Sequence, residues 1–173
     1  EALARAAGFK KGQIPQIVDA TAGLGKDSFL LASLGAKITL IERSPKVYTM
    51  LSKGIERASS NSGRTGAIVG RMKLIHGDSK IILPKLVPEV VIVDPMHPTR
   101  QNSALSKLEI RHLRSIVGSD TDASELMKIA LKTATKRVVL KWPLRARPLK
   151  GLPSPSHQIC GKTTRYEIFM KNN

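Results

Sequence analysis

The sequence predicts a doubly wound α/β fold, a mainly parallel sheet with helices on both faces and a C-terminal antiparallel hairpin. Three observations lead there. Short β-branched runs alternate with longer helical patterns up to Lys141. The centres of those runs are near-continuously apolar, as strands buried on both faces of a parallel sheet must be. After a proline-rich stretch at 143–155, two further short runs flank a glycine turn, the pattern of a hairpin closing one edge of a sheet.

The strands are expected at residues 16–20, 37–41, 72–76, 89–93 and 137–141, with apolar centres such as Val-Val-Ile-Val at 90–93. Helices are expected between them at 26–34, 45–59 and 122–135. Pro45 suits a first helical turn, and Ser44 before it is a natural N-cap. In the last helix Leu126, Ile129 and Ala130 share one side, with charges elsewhere. The β-α-β-α-β-α-β order implies right-handed crossovers. The hairpin pairs residues 158–160 with 165–170 through a turn at 161–163. No internal repeat, low-complexity segment or second domain is visible, so residues 1–173 read as one domain, in keeping with about 150 residues per domain.

Composition narrows the function. The one cysteine, Cys160, has no internal disulfide partner, which suits a reducing cytoplasm. No apolar run approaches the roughly 20 residues that span a membrane, and no signal-peptide pattern opens the chain. The sequence begins with Glu1 rather than methionine, so a preceding segment of the full-length protein is expected. Lys and Arg number 29 against 13 acids, a net charge of +16. Residues 136–150 alone carry six basic side chains and no acid. Such a surface attracts polyanions, nucleic acid above all. Aromatic residues at 3% argue against a stacking platform for single strands.

The segment from Asp19 to Asp27 (DATAGLGKD) follows the first strand and opens a helix. Gly23 and Gly25 allow a sharp turn and a close approach to a ligand. A dinucleotide would need a third glycine where Ser28 stands, and Asp27 puts negative charge where a phosphate would sit. That counts against NAD. S-adenosylmethionine has no phosphate and carries a cationic sulfonium, which an acid plus Gly-x-Gly suits. Glu42 ends the second strand, placed for both ribose hydroxyls; Asp78, with Ser79 beside it, follows the third and is placed for the adenine amino group. Asp94 ends the fourth. Acids after four successive strands line the crevice where open α/β sheets bind ligands.

Asp94-Pro95-Met96-His97-Pro98 is the most chemically pointed segment. An exocyclic amine is a poor nucleophile because its lone pair is delocalised into the ring. A carboxylate (Asp94) and a rigid carbonyl (Pro95) accepting its hydrogen bonds would hold it toward a methyl donor, and the His97 ring would stack on the base. His76 and His112 read as structural or surface residues, Cys160 as no nucleophile, and no Cys/His spacing suggests a metal.

With those residues in view, the chain resembles the bacterial ribosomal RNA small-subunit methyltransferase J family, guanine-N2 methyltransferases of the class I, Rossmann-like type. The likeness rests on Asp19-Ala-Thr-Ala-Gly-Leu-Gly-Lys-Asp27, Leu40-Ile-Glu-Arg-Ser-Pro45, Leu74-Ile-His-Gly-Asp-Ser79 and Asp94-Pro-Met-His-Pro98. Ser103-Ala-Leu, Ser115-Ile-Val-Gly118 and Ala134-Thr-Lys-Arg-Val-Val-Leu-Lys141 extend it over nearly the whole chain. The resemblance implies S-adenosylmethionine contact by Lys26, Asp27, Glu42, Arg43, Asp78, Ser79 and Asp94. It implies a guanosine of small-subunit ribosomal RNA as substrate, methylated on its exocyclic amine in the cytoplasm, with S-adenosylhomocysteine as product. The chain departs from the family at His97, where the family has phenylalanine, and the family carries a segment before the point where this sequence begins.

Apart from the resemblance, Arg100, Lys107, Arg111 and Arg114 follow the Asp-Pro loop; with Lys141, Arg145, Arg147 and Lys150 they are expected to form a phosphate-binding rim. The expected partner is ribosomal RNA or the small subunit, without membrane or metal, and the protein is expected to act as a monomer. Two alternatives stay open: an amine methyltransferase acting on DNA or protein, and a non-catalytic RNA-binding protein of the same fold.

Overall fold

The computed structural model describes residues 2–60, 63–95 and 122–171. Along them run α1 (Ala2–Ala7), β1 (Ile17–Asp19), α2 (Lys26–Ser33), β2 (Ile38–Glu42), α3 (Pro45–Ser59) and α4 (Arg64–Val69). Then come β3 (Met72–His76), α5 (Ser79–Ile82), a 3-10 turn (Leu83–Lys85), β4 (Val90–Val93), α6 (Ala123–Thr133), β5 (Arg137–Pro143), β6 (His157–Cys160) and β7 (Thr164–Met170).

The strands form one sheet in the order β3-β2-β1-β4-β5-β7-β6. From β3 to β5 neighbours are parallel. β7 enters antiparallel to β5, and β6 antiparallel to β7. The chain order therefore reverses at β1, the switch point from which a crevice opens beyond the strand ends.

Alternation along each strand divides the core in two. One face carries Ile17, Ile38, Leu40, Ile92 and Val139 against α1 and α2. The other carries Val18, Ile41, Val91, Val93 and Leu140 against Leu126, Met127 and Ala130 of α6. The apolar runs at β1, β2, β4 and β5 are thus buried on both sides, as expected. β3 is the exception. It is an edge strand whose residues are half-buried or exposed, because Lys73 and His76 punctuate its apolar run.

Most expected elements appear within a residue or two, and 45–59 and 72–76 match at both ends. Pro45 occupies the first turn of α3, and the Ser44 hydroxyl accepts from the Val47 N–H at 3.5 Å. β5 runs on through Pro143. Its pairing with β4 ends at Leu140 and only β7 continues beside it, so a residue without an N–H is tolerated there. In α6, Met127 is fully buried whereas Ile129 lies at the margin. The helices α1, α4 and α5 were not anticipated; each has six residues or fewer, too short to show a helical period. Among the described residues no helix is long and apolar enough to cross a membrane.

Candidate functional site

The C-terminal ends of β1, β2, β4 and β5 converge on the loop after β1. Gly23 and Gly25 both adopt left-handed backbone, with φ of 53° and 70°. Their surroundings differ. A Cβ on Gly25 would stand 2.9 Å from Leu51 Cδ1, whereas one on Gly23 would meet nothing nearer than the Thr21 carbonyl at 3.9 Å. Gly25 is pressed onto the core, and Gly23 presents open backbone.

Asp19 is the internal anchor of this loop. Its carboxylate accepts from the Ser28 hydroxyl at 2.6 Å and from the Thr21 N–H at 3.1 Å. It is 5% exposed. Its pKa is raised to about 6, chiefly by burial and to a smaller extent by the nearby Asp27 and Asp94, against the lowering effect of the two hydrogen bonds. Ser28, which takes the place of a third glycine, thus has a specific use: it ties α2 back to the end of β1.

Glu42 is similarly engaged. Its two oxygens accept the Gly23 N–H at 2.9 Å and the Ser44 N–H at 2.7 Å, stapling the glycine loop to the start of α3. The Thr21 hydroxyl accepts from the Asp94 N–H at 2.6 Å, which fixes the end of β4 against the same loop. On the far side the Gly77 N–H donates to the Glu42 carbonyl at 3.0 Å, and the Ser79 hydroxyl donates to the Ala20 carbonyl at 2.6 Å. Asp78 caps α5 by accepting from the Lys80 N–H. The strand ends are therefore knit together mainly through side chains that accept backbone N–H groups.

Lys141 lies amid this set. Its ammonium is paired with Asp27 and, at 3.0 Å, with Asp94. Farther out, Arg43 and Lys80 meet Asp122 ahead of α6, and Lys80 also meets Glu125. The hydrogen bonds that the Lys80 ammonium donates to Asp122 and Glu125 hold its pKa above the ordinary value.

The family described as "Putative SAM-dependent methyltransferase" matches residues 1–171. A ribosomal RNA small subunit methyltransferase J from Brucella anthropi is 60% identical over 171 residues, which are 99% of this chain and 83% of that protein. The chain belongs to the methyltransferase J family. The J-family protein of Agrobacterium fabrum is 61% identical over 170 residues, 98% of this chain and 82% of its own length. A crystal structure of a SAM-dependent methyltransferase from Neisseria gonorrhoeae superposes with a TM-score of 0.77 at 34% identity, covering 98% of this chain and 70% of that one. An RNA methyltransferase from Salinibacter ruber, in complex with S-adenosylhomocysteine, shares the fold at a TM-score of 0.60 and 13% identity, over 97% of this chain and 86% of that one. The cofactor is S-adenosylmethionine, and the sheet is that of the class I methyltransferases.

Among the residues singled out for this methyltransferase J-family chain, Asp19, Gly23, Gly25, Asp27, Glu42, Asp78, Ser79, Asp94 and the buried Pro95 gather at the strand ends. Lys26 and Arg43 are exposed beside them. Lys141 stands apart from the expected rim, since its ammonium is committed to Asp27 and Asp94 inside the crevice. Arg145, Arg147 and Lys150 are exposed on the segment after β5. His97, Arg100, Lys107, Arg111 and Arg114 lie outside the described residues, as does His112.

Sequence reasoning passed over Thr21, Ser28 and Arg165. Thr21 and Ser28 are small hydroxyl residues beside acids, and only the turn geometry reveals their use. Arg165 is a buried charge whose Nε donates to Glu167 at 2.7 Å. One of its terminal nitrogens donates to the carbonyls of Pro143, Leu144 and Ala146 at 2.8–3.0 Å. The Trp142 indole N–H donates to the Arg147 carbonyl at 2.9 Å. The loop bearing Arg145 and Arg147 is thus held from beneath by its own carbonyls. Among the described residues no cluster of His, Cys, Asp and Glu has the makings of a metal site.

Proposed function

We propose that the protein transfers the methyl group of S-adenosylmethionine to the exocyclic N2 of a guanosine in small-subunit ribosomal RNA. The observation that carries this reading is the carboxylate of Asp94, at the end of β4, linked through Lys141 to Asp27 at the start of α2. It brings a substrate-side acid and a cofactor-side acid to one crevice. The J-family relatives, named as ribosomal RNA small subunit methyltransferases, support RNA as the substrate class, as does the net charge of +16.

The residues fit the cofactor. Gly23 leaves open space on its Cβ side, and the surrounding acids suit a cation bearing ribose hydroxyls and an amino group. Asp27 and Lys26 would face its amino-acid end, Glu42 and Arg43 the ribose, and Asp78 and Ser79 the adenine. Each oxygen of Glu42 accepts one backbone N–H and retains a second lone pair for a hydroxyl. When bound, the cofactor supplies an electrophilic methyl group.

Asp94 and the Pro95 carbonyl accept the two N–H groups of the target amine, turning its nitrogen toward that methyl. The amine would gain positive charge as its bond to the methyl carbon formed and the sulfur–methyl bond broke to leave S-adenosylhomocysteine. Asp94 would stabilise that charge where it develops, and the surplus proton would pass to solvent. His97 would stack on the base, and Arg100, Lys107, Arg111, Arg114, Arg145, Arg147 and Lys150 would grip phosphates while the base turns into the crevice, which costs a few kcal/mol of unstacking. The chain acts as a single catalytic domain and a monomer in the cytoplasm.

The test is to incubate the protein with S-adenosylmethionine and small subunits lacking guanine-N2 methylation, then digest the RNA to nucleosides. N2-methylguanosine is the expected product. Methyl on another nucleoside, or on DNA or protein offered in parallel, overturns the assignment.

A further inference from the structure

Val138, Val139, Leu140 and Trp142 of β5 are buried, and Lys141 lies among them. A lysine in such a strand gives up water around its ammonium and needs acceptors in exchange. The parallel register of β4 and β5 runs from Val90 opposite Arg137 to Val93 opposite Leu140. One step further along both strands sets Lys141 beside Asp94. Alternation then turns Asp94 with Ile92, and Lys141 with Val139, to the face that carries α2. The first turn of α2 supplies Asp27. The ammonium bonds Asp27 and stands 3.0 Å from Asp94 Oδ2, with the Lys141 side chain 18% exposed.

From this arrangement, and resting on the reading that Asp94 orients the target amine, we infer that Lys141 is a positioning residue of the methyl-transfer site. Its cation holds the Asp94 carboxylate in place and lets two acids that would otherwise repel stand side by side, one toward the cofactor and one toward the base. The backbone of Asp94 is pinned separately by the Thr21 hydroxyl at 2.6 Å. Removing the lysine therefore loosens the carboxylate without releasing the end of the strand. A phosphate contact, by contrast, would act on RNA affinity.

The experiment is a double-mutant cycle of K141M and D94N, read as kcat and as KM for the RNA at saturating S-adenosylmethionine. Lys141→Met is expected to lower kcat about tenfold or more, with KM for RNA changed by less than about threefold. In the D94N background the same substitution is expected to lower kcat by less than about threefold, because the group through which it acts is already altered. Lys141→Arg, which keeps a cation, is expected to recover most of the loss. Melting curves with S-adenosylhomocysteine show that each variant is folded, and Lys141→Gln replaces the methionine variant if that one is not. Additive losses in the cycle overturn the positioning role, and so does a raised RNA KM at unchanged kcat with a shallower salt dependence, the signature of a phosphate contact. If the wild type transfers no methyl to RNA, the reading beneath it falls as well; transfer by the wild type with an additive cycle removes this inference alone.

Discussion

Gly23 and Gly25 lie two residues apart in one loop, yet alanine at each is expected to fail in a different way. Both have positive φ, at 53° and 70°, and a side chain in that region costs roughly 1–2 kcal/mol. At Gly25 the added methyl would stand 2.9 Å from Leu51 Cδ1 and 3.5 Å from Leu40 Cδ2. Both leucines are buried, so overpacking adds about 1–3 kcal/mol. At Gly23 the nearest atom is 3.9 Å away and no such cost arises. With each kcal/mol worth about 2–4 °C in a chain of 173 residues, G25A should melt roughly 2–12 °C below G23A. Cofactor affinity should follow the opposite order, because only the methyl of G23A enters the open side of the loop. Saturation with S-adenosylhomocysteine at about 100 times Kd stabilises by about 2.7 kcal/mol. That increment should persist in G25A and largely vanish in G23A. Calorimetric melting of both variants with and without the ligand decides the matter. A lower unliganded Tm for G23A, or full ligand stabilisation of both, would refute the division of labour between the two glycines.

The buried Asp19 makes stability depend on pH. Because its pKa is raised to about 6, the folded state holds the proton more tightly than the unfolded chain. The stabilisation is complete below its ordinary value of 3.8 and disappears as the pH rises through about 6. Urea unfolding at pH 4 and pH 7 should show the advantage of wild type over Asp19→Asn shrinking by up to about 3 kcal/mol; a constant gap contradicts the assignment. Arg165→Met should cost about 3–5 kcal/mol in chemical denaturation, since it strands Glu167, itself 3% exposed, without a partner. The double variant R165M/E167L should recover most of that loss, and a double variant no better than the single one argues against the buried pair. Replacing Arg145 and Arg147 by alanine should flatten the dependence of log K for RNA on log salt by about 1 per arginine, with kcat at saturating RNA unchanged. An unaltered slope removes them from the RNA interface.

Much of the architecture was legible because the signals were local and redundant. Four strands carry runs of Val, Ile and Leu bounded by turns, and the 45–59 helix announces itself through Ser44 and Pro45. The glycine turn and the strand-end acids pointed to the crevice because each follows a strand whose position was already fixed. What escaped depends on register and depth. Lys141 resembled any member of the basic run at 136–150 until the pairing of β4 with β5 set it beside Asp94. Ser28 read as the place of a missing glycine, whereas its hydroxyl holds Asp19. Arg165 stood out only as the first residue of a hairpin strand, yet it is a buried charge beneath the loop that carries Arg145 and Arg147. Side chains whose partners are far away in sequence leave no periodic trace. For the same reason helices of four to six residues such as α1, α4 and α5 went unforeseen.

The central claim is that Asp94 directs methyl transfer from S-adenosylmethionine to ribosomal RNA, and one assay addresses it directly. Small ribosomal subunits lacking guanine-N2 methylation are incubated with methyl-labelled S-adenosylmethionine and either wild-type protein or Asp94→Ala. The account predicts label in the RNA with the wild type, and its loss in the variant while S-adenosylhomocysteine still raises the variant's Tm. Equal labelling by both proteins at saturating cofactor would contradict it.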